Sequence, residues 1–360
     1  MPFWKRIGFA IVFVVPALMP LAAWLGARSG HPGLFAWFPL FFLFVLLPLA
    51  DQAVGHDPGN PAPADEATLA ADRWFRLLTL LAVPVQYAVL AWSLRHCAQA
   101  GFGLAGGIGW LLSLGVVGGV LAINVAHELI HKDTRLERVA GGLLLASVGY
   151  HGFKVEHLRG HHVLVATPED ASSARFGQSL WRFLPRALLH NTRNAWRLEA
   201  ERLRRRGLRG WHWRNELLGW SALWVALAGI AFAVLGMPGL LAFVVQGLVA
   251  ACALEIINYV EHYGLSRRRL ADGRYERTTH LHSWNADFAL TNLLLFHLQR
   301  HSDHHAHASR RYQVLRHHPD SPQLPGGYAA MFVLALFPPL WFRVIHPRLQ
   351  RWQAGEGAAS

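Results

Sequence analysis

Apolar and polar positions in this chain are gathered into long blocks. Apolar runs extend from Gly8 to Ala27, Leu34 to Ala50, Leu77 to Leu94, Gly101 to Ala126, Leu217 to Leu235 and Leu240 to Tyr259. A helix crosses a hydrocarbon core with ~20 apolar residues, so each run predicts a transmembrane helix. The second run follows the first at once, which favours a membrane anchor over a cleaved signal peptide. Pro16, Pro20, Pro39 and Pro48 kink the first two spans, which membrane helices tolerate. Trp74 and Trp92 flank the third as interface anchors, and the small residues of the fourth permit close helix contact. Gly236-Met-Pro-Gly239 predicts a tight turn between the fifth and sixth. Tyr328 to Phe342 is shorter and carries Pro338-Pro339, so it reads as an interfacial or buried helix. Between the runs lie a proline-bearing linker, Asp51 to Asp72, and two polar regions, 127–216 and 261–327. The fold class is therefore an all-α integral membrane protein of about six transmembrane helices.

Composition sharpens this. Hydrophobic residues make up 53% of the chain and charged ones 16%, and Lys and Arg outnumber Asp and Glu by 34 to 22. With the basic amino terminus (Lys5, Arg6) in the cytoplasm, six spans return the carboxyl terminus to that side. Segments 51–76, 127–216 and 261–360 then all face the cytoplasm of a bacterial inner membrane, and they hold nearly all the basic residues. The net charge of +12 belongs to loops near anionic lipid; no nucleic-acid motif accompanies it. Cys97 and Cys252, the two cysteines, can build neither a four-cysteine metal site nor a disulfide framework.

The candidate chemistry lies in histidine. Four clusters sit beside the predicted spans: His127-Glu-Leu-Ile-His131-Lys, Glu-His157-Leu-Arg-Gly-His161-His162, Asn-Tyr-Val-Glu-His262-Tyr-Gly-Leu and Leu-Gln-Arg-His301-Ser-Asp-His304-His305-Ala. Residues four apart share a helical face, so His127 pairs with His131 and His157 with His161. His301, His304 and His305 give the i, i+3, i+4 pattern of one face. Neutral imidazole ligates iron, zinc and copper. Nine such ligands exceed one metal's capacity and suit two ions with open positions. Ligand imidazoles usually donate their second N–H to a carboxylate or carbonyl. Glu128, Glu156, Glu261 and Asp303 adjoin the clusters in sequence, and Asp170, Asp287, Asn258, Asn285 and Asn292 are further candidates. His280, His282, His297 and His307 could also serve around the metal. His127-Glu128-Leu-Ile-His131 also satisfies the zincin signature, but a one-zinc protease leaves His157, His161, His162, His301, His304 and His305 without a role. A histidine-rich metal transporter would place its ligands within the spans rather than past their ends.

These motifs closely resemble those of the membrane-bound alkane 1-monooxygenases (alkane hydroxylases), and more distantly those of xylene monooxygenase and membrane fatty-acid desaturases. Ala-Thr-Pro-Glu-Asp at 166–170 and His-Ser-Trp-Asn at 282–285 extend the match, which covers about residues 70–320. The resemblance implies one membrane-embedded, desaturase-like domain over 1–360 with a non-haem diiron site, two iron ions held by His127, His131, His157, His161, His162, His262, His301, His304 and His305. It implies hydroxylation of a terminal methyl of medium- or long-chain n-alkanes with O2, using electrons from rubredoxin, itself reduced by an NADH-dependent rubredoxin reductase. A methyl-aromatic monooxygenase or an acyl-lipid desaturase is the alternative on the same scaffold. An alkane has no polar handle, so its binding rests on burial, at ~0.8 kcal/mol per CH2. Trp37, Phe38, Phe41, Phe42 and Phe44 are candidates to block a channel between the spans and set chain length. The arginines from Arg175 to Arg214 face lipid or dock an acidic electron carrier.

Overall fold

The computed structural model describes residues 1–355. Among these the regular structure is helical, with isolated bridges such as His56 to Phe288 in place of strands. Four of the helices long and apolar enough to cross a membrane come first: α1 (Phe3–Ser29), α2 (Pro32–Val54), α3 (Arg73–Gln99) and α4 (Gly103–Ile130). Then come α5 (Arg135–Ser147), α6 (153–164) and α7 (Leu180–Arg204), before the 47-residue α8 (Glu216–His262).

α8 is folded back on itself. Trp224 and Phe243 would stand about 28 Å apart on a straight helix, yet their ring centroids are 6.2 Å apart. Gly236 makes the reversal, at φ 68° and ψ −161°, a backbone region open essentially to glycine alone. Pro238 then fits the first turn of the returning arm. A Cβ at Gly239 would come within 2.3 Å of Leu235 Cβ, so glycine lets the arms close. α8 thus supplies two antiparallel spans, and the bundle has the six crossings that its hydropathy predicts.

Close packing of the spans rests on glycine in α4. A Cβ at Gly106 would lie 2.5 Å from Gly33 Cα, and one at Gly115 would lie 2.4 Å from Val249. Direction alternates from span to span. At one end Arg6 pairs with Asp72 at 2.8 Å and Trp74 Nε1 donates to Arg6 O, joining the starts of α1 and α3. At the other end Trp92 and Trp110 meet with centroids 6.1 Å apart.

Two boundaries differ from the expectation. Asp51 is not in the linker but buried in the last turn of α2, where it accepts hydrogen bonds from the backbone N–H (3.0 Å) and the hydroxyl of Thr291. The apolar stretch 328–342 is two helices rather than one, because proline cannot continue the first. α9 (Ala289–Leu294) and α10 (His301–Ala306) precede this pair, which is α11 (Tyr328–Ala335) and α12 (Pro338–Gln353). α12 runs well past Phe342 and buries Trp341, Ile345 and Leu349 at helical spacing.

α6, α7, α9 and α10 pack over the end where α4 and α8 terminate, while α5 runs back along α4 into the bundle, with Ser147 bonded to Gln86 and Gln246. α5 starts with a capping box: Thr134 Oγ1 accepts from Glu137 N at 3.2 Å. α7 is amphipathic, burying Leu180, Phe183, Ala187, Asn191, Asn194 and Leu203 and exposing Arg182, Arg193, Arg197 and Arg204. The linker clamps the start of α10. Arg300, 1% exposed, donates to the carbonyls of Asp57 (2.9 Å), Gly59 (3.0 Å) and Leu315 (2.7 Å).

Candidate metal centre

The four histidine clusters converge into two groups, with ligand atoms inside each lying within 4.8 Å of one another. One comprises His127, His131, His157, His162 and His304; the other comprises His161, His262, His301 and His305. His127 lies in the last turn of α4, with His131 just beyond it. His262 ends α8, and His301, His304 and His305 lie on α10.

The partition departs from simple i, i+4 stacking. Residues 157–161 are wound as a π-helix, whose i to i+5 bonding aligns His157 with His162 instead of His161. Their Nε2 atoms are 3.0 Å apart, while His161 Nε2 points to His305 Nε2 at 3.2 Å, in the other group. α10 divides in the same way. His305 meets His301 edge to face across one turn (Nε2 to Nε2 2.9 Å), and His304 turns to His162 at 3.2 Å. Adjacent histidines therefore serve different groups, which lets two short helices, α6 and α10, each feed both sites.

The distances suit metal binding. Two imidazole nitrogens bound to one ion at about 2.1 Å stand about 3.0–3.4 Å apart for right-angle to tetrahedral geometry. In the five-histidine group His131 and His157 are separated by 3.0 Å; in the four-histidine group His262 and His301 are separated by 3.1 Å. Contacts among imidazoles alone leave His127 Nε2 buried without a hydrogen-bond partner, as is Glu261 Oε1 beside them. Unpaired buried polar atoms are costly, and a shared cation would satisfy them. Protonation agrees. Burial, then repulsion from neighbouring imidazoles, holds His131, His157, His162, His301, His304 and His305 well below the usual imidazole range. They are neutral, the form that binds metal. His161 differs: burial pushes it down, but the Asp170 carboxylate outweighs burial and raises it.

That carboxylate is the one sequence order could only half suggest. Asp170 Oδ2 lies 2.9 Å from His161 Nδ1 and is itself held by the Ser173 hydroxyl at 2.6 Å, fixing the His161 tautomer with Nε2 toward the site. Of the four carboxylates adjoining the clusters in sequence, Glu261 reaches an imidazole, its Oε2 3.2 Å from His301 Nε2. Glu128 turns away to Lys132 (2.9 Å) and the Tyr312 N–H (3.3 Å), so it is committed elsewhere than as a hydrolytic base. Glu156 accepts from Asn194 at 3.2 Å, and burial with nearby Asp170 pushes it up to about 7. Asp303 accepts from Arg310, the Arg316 N–H and His318. Asp287 pairs with His56, Asn258 donates to Glu255, Asn285 accepts from Ser302 N, and Asn292 donates to Ala286 O. His297 contacts Tyr312 O, and His282 accepts from Thr279 N.

A cavity of about 860 Å3, its mouth included, opens from the histidines into the bundle. His127, His157 and His301 form its polar end with Asn124, Asn258, Glu261 and Tyr328, and the rest of the wall is almost wholly apolar. Along α4 its wall runs from His127 to Val116, about 16 Å of helix. Of the five aromatic residues proposed for the channel, Phe44 lines it; Trp37 packs against Gly109 and Phe41 is half exposed. Phe332 of α11 stacks on Phe44 with centroids 4.7 Å apart. On a regular α-helix Phe41 and Phe44, three apart, would share a face, but residues 42–46 are wound as a π-helix, so the two no longer point the same way.

The profile of the family described as Fatty acid desaturase matches residues 103–335. Alkane 1-monooxygenase 2 of Pseudomonas aeruginosa is 54% identical over 98% of this chain and 94% of its own. Alkane 1-monooxygenase 2 of Alcanivorax borkumensis is 50% identical over 98% and 93%. The hydroxylase component of a xylene/toluene monooxygenase from Pseudomonas putida is 33% identical over 68% and 65%.

Proposed function

This chain belongs to the alkane 1-monooxygenases of the fatty acid desaturase family, and on that premise we propose that it hydroxylates the terminal methyl of medium- or long-chain n-alkanes at a non-haem diiron site. The observation that carries this reading is the apolar cavity whose one polar end is made of His127, His157 and His301. The five-histidine group holds one iron and the four-histidine group the other. When bound, the iron pair supplies the redox chemistry of R–CH3 + O2 + 2 e⁻ + 2 H⁺ → R–CH2OH + H2O.

The protein's own residues do the rest. Leu43, Leu47, Val120 and Leu294 bury the chain and exclude water, at ~0.8 kcal/mol per CH2. Asn124, Asn258, Glu261 and Tyr328 are the polar partners within reach of a product hydroxyl. Asp170 keeps His161 in one tautomer. Electrons arrive from rubredoxin, reduced in turn by its NADH-dependent reductase. Supporting this, Arg182, Arg193, Arg197, Arg204, Arg205, Arg206 and Arg209 are exposed on and just after α7, a field complementary to an acidic carrier. The basic amino terminus and the arginine-rich regions support an orientation with this end of the bundle toward the cytoplasm of a bacterial inner membrane.

The test is iron content of the purified protein together with 1-octanol formed from octane in the presence of O2, NADH, rubredoxin and its reductase. Two irons per chain with 1-octanol is the expected result. Two irons with oxidation of methyl-aromatics or acyl chains alone would move the substrate. One zinc per chain without oxygen consumption would overturn the reading.

A further inference from the structure

A third cluster of metal-binding side chains lies outside the nine-histidine centre. His280, His318 and Asp320, from two separate loops, offer ligand atoms within 4.8 Å of one another. The His280 and His318 rings stack with centroids 4.5 Å apart at 15°, and His280 Nε2 lies 2.7 Å from Asp320 Oδ2. The site is reachable from solvent, with side chains 30%, 25% and 57% exposed for His280, His318 and Asp320.

What distinguishes this cluster from an ordinary surface ion pair is the group behind His318. His318 Nε2 lies 2.9 Å from Asp303, whose side chain is fully buried and fixed by Arg310 at 2.7 Å and the Arg316 N–H at 3.0 Å. In a neutral imidazole that contact makes Nε2 the donor and leaves Nδ1 free to bind an ion. A carboxylate orienting an imidazole toward an ion is the arrangement by which proteins prepare histidine for a metal, and Asp170 does the same for His161. Two imidazoles and one carboxylate, with an open position for water, suit zinc and its late first-row neighbours rather than calcium or magnesium.

We propose that His280, His318 and Asp320 form a surface binding site for a divalent transition ion of the zinc class, separate from the buried centre and backed by Asp303. The site is built by loops 263–288 and 315–327, so an ion there ties the two together across the face that covers the histidine groups.

The experiment uses the full-length, iron-loaded protein titrated with Zn2+, reading bound zinc and retained iron together, beside the H280A and H280A/D320N variants. His318 is left intact because it holds Asp303. The expected result is one zinc per chain taken up with iron content unchanged, its affinity falling at least about tenfold in H280A and further in the double variant. Co2+ in place of Zn2+ should give a visible ligand-field spectrum that the double variant lacks. Zinc uptake equal in the wild type and both variants, uptake only at the expense of iron, or no uptake at millimolar Zn2+ would overturn the proposal. Retained iron in the variants shows that they have folded.

Discussion

At the scale of single residues, the centre depends on groups that touch no substrate. Asp170 holds His161 by one contact and is itself held by Ser172 and Ser173. Asp170→Asn keeps the shape and removes the charge, so iron affinity should fall about 10- to 100-fold; metal content per chain after dialysis checks this. Phe44 and Phe332 meet across the cavity, so Phe44→Ala or Phe332→Ala should shift the preferred alkane to longer chains, while Phe41→Ala should not. Gas chromatography of products from a mixed alkane feed decides between them. Glu199 shows charge used for structure. Its buried carboxylate accepts from Arg159 (2.7 Å), Arg202 (2.5 Å) and the Glu216 N–H (3.0 Å), joining α7 to the start of α8. Although burial opposes ionisation, these donors lower its pKa from 4.5 to about 2. A depressed folded-state pKa means that the stabilisation is complete above 4.5 and is lost as pH falls toward 2. Glu199→Gln should cost about 2 kcal/mol near neutral pH and flatten the acid limb of a thermal-unfolding profile. Parallel acid limbs in wild type and variant would remove Glu199 from that role.

At the scale of elements, two departures from regular helix do most to position the site. The π-turn over 157–161 rotates His157 and His162 onto one group and His161 onto the other. Gly236 reverses α8, bringing His262 back to the end where α4 delivers His127. Gly236→Ala forces a Cβ into a region reserved for glycine, a strain of about 1–3 kcal/mol. Thermal unfolding in detergent should show that loss, with iron content retained at low temperature, because the hairpin lies at the opposite end from the histidines.

At the scale of the whole molecule, a basic cap closes one end of a six-span bundle, and the cavity runs from that cap into the apolar interior. Under the proposed function, substrate and electrons approach from different phases, the alkane from lipid and the carrier from water. With rubredoxin limiting, turnover should fall as salt rises, because screening weakens charge-guided encounter. Charge reversal at Arg193 and Arg197 should lower the rate and the salt slope together, and a rate indifferent to salt would remove docking by charge.

The order of spans, their number and the nine histidines were legible in the sequence because each rests on local information: block hydropathy, a glycine-proline turn, ligand spacing. Which histidines share an ion was not, since i, i+4 spacing assumes an α-turn and residues 157–161 are wound as π. Nor was the choice of Asp170 from among the candidate carboxylates, eight or more residues from every candidate ligand in sequence, or the roles of Arg300 and Phe332, whose partners Asp57 and Phe44 lie hundreds of residues away. Local composition determined that this chain crosses a membrane and gathers imidazole at one end. Only long-range packing decided how those imidazoles divide and which face of α2 meets the cavity, because side-chain direction depends on helical phase and on contacts between distant segments.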